Sequence, residues 1–136
     1  MKLDLPSLPE NWRWCELREL CVVITDGDHQ PPPRATEGVP LVVIGNLTGG
    51  FVDLSDTRQV DPKYFDGLPE WRRPAKGDVL YTLVGTFGLA VLVTNARPFC
   101  IQRHVGLLKP SADVSRRYLL HLLNGPVTFY QAKEMA

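Results

Sequence analysis

At 136 residues the chain is one domain, long enough to bury a single hydrophobic core. Its 15 basic and 15 acidic residues cancel. That excludes a non-specific nucleic-acid binder, which needs a large positive excess to release counterions, but not a sequence reader whose positive charge sits on one face. No apolar run approaches the roughly 20 residues of a bilayer span. The opening Met1-Lys2-Leu3-Asp4-Leu5-Pro6 has no apolar export core, so a cytoplasmic protein with no membrane partner is expected.

Residues 1–7 read as a loosely tied tail. Trp12 and Trp14 lie two apart, on one face of an extended segment, and are expected to cover the edge of the core. Glu16 to Cys21 reads as a short helix, with Leu17, Leu20 and Cys21 at helical spacing, and Cys21-Val22-Val23-Ile24 predicts a strand. Residues 26–34 follow as a stiff loop, because Pro31, Pro32 and Pro33 fix φ and remove donors. This loop carries Asp26, Asp28, His29, Gln30 and Arg34. It reads either as a solvated turn whose aspartates cap their own backbone, or as a rigid arm for base edges. Gln pairs with adenine, Asp accepts from cytosine and Arg pairs with guanine. A metal site at Asp26, Asp28 and His29 is a further alternative.

Leu41-Val42-Val43-Ile44 predicts another strand, broken by Gly45-Asn46. Asn46 is turn chemistry first and a base reader second. Phe51-Val52-Asp53-Leu54 is expected to be a short strand closing that hairpin. Asp53, Asp56, Asp61 and Asp66 make the next stretch acidic and unsuited to phosphates. Trp71-Arg72-Arg73-Pro74-Ala75-Lys76 is the densest basic cluster, fitting phosphate contacts or a solvated turn.

Lys76-Gly77-Asp78 predicts a tight turn. Residues 79–84, apolar on both faces, predict a central strand. Gly85-Thr86-Phe87-Gly88 forms a tip presenting one hydroxyl and one ring, and residues 89–94 return as a second strand. Residues 99–108 give two strand pieces interrupted by Gln102-Arg103-His104, which predicts a bulge or an exposed strand end. His104 alone reads equally as a core histidine. A helix begins at Asp113 or Ser115, with Tyr118, Leu119, Leu122 and Leu123 as its apolar stripe. Asn124-Gly125-Pro126 ends it and starts another. Cys15, Cys21 and Cys100 form no CxxC pair, so reduced thiols are expected rather than a zinc site.

Five blocks in order resemble the target recognition domain of type I restriction–modification specificity subunits. They are residues 8–17 (Leu-Pro-Glu-Asn-Trp-Arg-Trp-Cys-Glu-Leu), residues 25–32 (Thr-Asp-Gly-Asp-His-Gln-Pro-Pro), residues 39–47, residues 76–88, and Gln102-Arg103-His104-Val105 before Leu107-Leu108-Lys109-Pro110. The resemblance runs over residues 8–125. It implies a non-catalytic reader of one half of a bipartite double-stranded DNA target. Its partners would be methyltransferase (modification) subunits, which bring S-adenosylmethionine, and a restriction subunit, which brings ATP-driven cleavage. No cofactor is expected on this chain. The resemblance also implies more chain in the whole protein: a spacer helix and a second copy. Residues 1–136 are therefore expected to be a fragment ending before that helix.

The fold class expected is α+β: a twisted, mostly antiparallel sheet of about five to eight short strands with two or three short helices. DNA contacts are expected from Asp26, His29, Gln30, Arg34, Asn46, Arg72, Arg73, Lys76, Thr86, Phe87, Gln102, Arg103 and His104. Three rivals stand beside this reading. One is the same domain in a fused restriction–methyltransferase enzyme. Another is a protein-interaction module. The third is a small hydrolase using Cys100 and His104.

Overall fold

The structure, a computed structural model, describes residues 5–135, so most of the expected N-terminal tail lies outside it. Among the described residues seven strands form two sheets. In the first, β1 (Cys21–Asp26), β4 (Val79–Thr82), β5 (Ala90–Leu92) and β7 (Val105–Pro110) pair antiparallel in the order β1-β7-β4-β5. In the second, β2 (Arg34–Val42) pairs antiparallel with β3 (Arg58–Val60) and parallel with β6 (Cys100–Ile101). Helices α1 (Pro62–Asp66), α2 (Arg116–Leu123) and α3 (Pro126–Met135) complete the α+β fold, with three short 3-10 turns.

Strand alternation explains the layering. Successive side chains point to opposite faces of a sheet, so a doubly apolar strand must be covered twice. In β4, Val79 and Tyr81 pack with Leu108, Leu119 and Leu123 beneath α2. Leu80, between them, packs with Val42, Phe99, Ile101 and Leu107 from both sheets. Within the second sheet, Val42 and Ile101 face that shared core. Their neighbours Leu41 and Cys100 face the other way and join Val60 under Tyr64, Phe65 and Leu68. The order of layers is α2 and α3, first sheet, second sheet, α1.

The segment expected to be central is central. All four residues of β4 are buried, between β7 and β5. The preceding turn has Gly77 at φ +95°, and Asp78 accepts from the Ala75 N–H at 2.8 Å. Asp78 also receives Lys109 Nζ at 2.6 Å, and the same ammonium donates to the Arg73 carbonyl at 2.7 Å. This largely buried pair ties the turn to β7. Ser115 caps α2, accepting from the Tyr118 N–H at 3.3 Å. Asn124 ends α2 and pairs its amide with both backbone groups of Ala90, at 2.8 and 3.0 Å, covering the free edge of β5.

Several expectations are corrected. One sheet becomes two, because both faces of the central strands are apolar and each needs a cover. Residues 51–54 form no strand; Val52 and Leu54 drop into the core while Phe51 stays exposed. Ile44 belongs to the 3-10 turn Ile44–Asn46, not to the strand before it, while Asn46 sits in a turn as expected. Leu83 and Val84 lie beyond the end of β4, exposed. The helix expected at residues 16–21 shrinks to the 3-10 turn Leu17–Glu19. Trp12 and Trp14 are 57% and 41% exposed, with Trp12 meeting Tyr118 edge-on at 6.3 Å rather than sealing the core. Arg34 opens β2 instead of closing the loop, and β3 falls in the stretch read as acidic.

Candidate nucleic-acid interface

The chain crosses between sheets twice near one point. It leaves the first sheet after Asp26 and enters the second at Arg34. It leaves the second after Ile101 and re-enters the first at Val105. The two crossings lie against each other: Asp28 and Gln102 form a parallel bridge, and the Gly27 N–H donates to the Val105 carbonyl at 3.2 Å. A Cβ on Gly27 would overlap the carbonyls of Ile101 and Gln102, so only glycine permits this approach.

Between the crossings opens a groove of about 250 Å³. Asp28, His29, Gln30, Pro31 and Pro32 form one wall, Gln102 and Arg103 the other, with Leu41 and Arg58 between. The prolines cannot donate to a ladder, which keeps this wall out of either sheet. The other wall is a β-turn: the Val105 N–H donates to the Gln102 carbonyl at 3.0 Å, putting Arg103 and His104 at the corner. The His104 carbonyl accepts from the Leu83 N–H at 3.0 Å, anchoring the corner to the first sheet.

The expected contact residues divide by what their side chains already do. His29 is exposed, its Nε2 3.0 Å from Asp26 Oδ2. Gln30, Arg34, Lys76, Thr86 and Arg103 are exposed, and Gln102 and His104 half-buried. Arg103 Nε donates to His104 Nε2 at 3.2 Å, leaving the rest of the guanidinium forward. Four others are engaged inside the molecule. Asn46 accepts from the Val43 N–H and donates to the Asp56 carbonyl, both at 3.0 Å. Arg72 pairs with Asp28. Arg73 donates to the Asp66 carbonyl at 2.7 Å and lies over the Phe65 ring. Phe87 stacks on Phe129, with centroids 5.4 Å apart and planes 9° from parallel.

Lys76 and Thr86 do not line the groove, and Arg58 does, though the sequence did not single it out. Its strand is three residues long and shows no alternation, so nothing in the local pattern marks it. The larger hollow, about 520 Å³ between the first sheet and the helices, is walled mainly by Leu17, Ile24, Leu83, Leu108, Leu123 and Ala132. Such a wall offers base edges little to pair with. The metal alternative fails on geometry: Asp28 turns to Arg72 while Asp26 turns to His29. The nucleophile alternative fails on chemistry. Cys100 is buried, and burial, reinforced by the charge of Asp28, pushes its thiol up to about 11. A thiol held protonated at neutral pH is a poor nucleophile.

The two-sheet scaffold thus brings several exposed polar side chains to one open groove. The chain is a homologue of a type I restriction specificity subunit: it is 27% identical over 128 residues to the type I restriction enzyme EcoBI specificity subunit of Escherichia coli, covering 88% of this chain and 26% of that protein. Its fold matches the crystal structure of the HsdS subunit from Thermoanaerobacter tengcongensis with a TM-score of 0.65 at 24% identity, covering 95% of this chain and 30% of that one. A second structure, described as bearing on complex assembly and conformational transition of the type I R-M system, matches with a TM-score of 0.65 at 23% identity, over 96% of this chain and 30% of its own. No protein-family model matches the sequence. The chain thus spans between a quarter and a third of the length of these relatives. Among the described residues no helix is long and apolar enough to cross a membrane.

Proposed function

We propose that residues 1–136 are a single DNA target recognition domain that reads one half of a bipartite duplex target for a type I restriction–modification complex. The observation that carries this is the convergence of two separate polar segments, 26–34 and 102–104, on one groove. His29, Gln30 and Gln102 are the base-edge readers, since imidazole and amide groups pair in both donor and acceptor senses. Arg58 and Arg103 set register on phosphates, with Arg34, Lys76 and Thr86 at the periphery. The domain performs no chemistry and holds no cofactor. Its partners in the complex are methyltransferase and restriction subunits, which supply the chemistry.

This reading reconciles the zero net charge with DNA binding. Two cations are cancelled by largely buried carboxylates, Arg72 by Asp28 and Lys109 by Asp78, while Arg58 and Arg103 line the groove. The test is selection from a pool of random duplexes at low salt, followed by sequencing of the retained fraction. Enrichment of a motif of about three to five base pairs is expected, each mismatch costing about 1–3 kcal/mol. Salt-sensitive retention without a motif would reduce the domain to a backbone binder. Binding of a protein partner with no effect of added duplex would replace this reading with a protein-interaction module.

A further inference from the structure

The geometry points to Arg72 as a positioning residue that clamps the reading loop through Asp28, rather than a phosphate contact. This rests on the DNA-reading function above and adds a device to it. Arg72 lies on the 3-10 turn Glu70–Arg72, 44 positions along the chain from Asp28. Its guanidinium meets the Asp28 carboxylate in a pair whose side chains are only 27% and 20% exposed. The same guanidinium lies over the ring of Trp71, 5.9 Å from its centroid. A carboxylate on one side and a ring on the other hold the planar cation in one orientation.

Asp28 is the hinge residue of the groove. Its backbone is bridged to Gln102, and Gly27 beside it is pressed on the carbonyls of Ile101 and Gln102. Its side chain is held by Arg72. Asp28 is therefore fixed at both backbone and side chain, while the next two residues, His29 and Gln30, project exposed. Fixing a loop before it binds removes the ordering cost from the binding step. The pair has a second effect. Asp28 lines the groove, and a bare carboxylate there would repel phosphate; the guanidinium cancels that charge.

The experiment compares the parent chain with Arg72→Ala, Asp28→Ala and the double variant. Without DNA, ¹⁵N relaxation of the His29 and Gln30 amides is read. A clamp predicts that order parameters near 0.85 in the parent fall below about 0.6 in both single variants, with the double no looser than either and the strand amides unchanged. With the selected duplex, the double variant, which removes both charges of the pair together, is expected to reduce the ratio of cognate to scrambled affinity about tenfold and to leave the salt slope alone. A phosphate contact predicts the reverse: a slope lower by about one, an intact ratio and unchanged loop order. That outcome overturns the clamp, as does unchanged loop order in Asp28→Ala. Should the parent select no sequence, the DNA-reading function fails while the relaxation arm still decides whether Arg72 holds the loop.

Discussion

The groove at the sheet crossing and the hairpin between β4 and β5 are both polar loops set on buried strands, yet they are finished in opposite ways. The hairpin is closed on itself. Thr82 accepts from the Leu89 N–H at 2.9 Å, Gly88 leaves a Cβ only 3.0 Å from the Phe129 ring, and Phe87 lies flat on that ring. The groove is left open, with His29, Gln30 and Arg103 exposed on its rim. The difference teaches that polar residues on a loop are no guide to function until it is known which of them the fold has already engaged. Arg72, Arg73, Asn46 and Phe87 are the right residue types for nucleic acid and are committed to the domain's own architecture.

The comparison breaks first at the layer under the two regions. Phe99 is fully buried between the sheets, and Phe99→Ala should lower unfolding free energy by about 4 kcal/mol in urea titration, weakening hairpin and groove together. Next comes the groove alone. Arg103→Ala should lose about 1–3 kcal/mol of DNA affinity and reduce the salt slope by about one, with stability within about 0.5 kcal/mol of the parent. Identical affinity and slope across a salt titration would remove Arg103 from the interface. Phe87→Ala should do the converse, losing about 1 kcal/mol of stability with its ring stack while duplex affinity stays put. Smallest is a pH effect in the shared scaffold. The Cys100 thiol is raised from an ordinary 9.0 to about 11, so the unfolded chain releases this proton first and stability declines as pH rises between those values. By about pH 9.5 the loss should reach just under 1 kcal/mol relative to neutral pH, and Cys100→Ala should lack that component in denaturation at matched pH.

What the sequence makes legible follows from local physics. The turn at Lys76-Gly77-Asp78, the doubly apolar β4, the helix start at Ser115 and the stop at Asn124 all rest on spacing and capping within a few residues. The polar interruption at 102–104 is equally local, and it is a turn at a strand end. The division into two sheets is not local. Nothing near Leu41 announces that Cys100 will lie beside it in parallel, and the three residues of β3 are too few to show a period. The same limit applies to the site. The loop with its three prolines is visible in the sequence, but that Arg72 reaches back to Asp28, or that Arg58 lines the groove, depends on pairings between distant segments. The corrections at Trp12 and Trp14 share a cause: large aromatics favour burial on average, yet both of these stay exposed.

The parallel pairing of β2 with β6 has a consequence for how the molecule assembles in time. Leu41 meets Cys100 and Val42 meets Ile101, joining opposite halves of the chain, whereas β4 meets β5 through one short connection. Closing the long loop costs entropy before any contact rewards it, so the hairpin should nucleate before the β2–β6 seam closes. Pulse-labelled amides of Val79 to Leu92 should then gain protection before the amide of Gln102, which bonds the Val42 carbonyl at the end of that seam. The wall that carries Gln102 and Arg103 would mature after the hairpin, and the groove of a nascent chain would take shape only once both strands of that seam had left the ribosome.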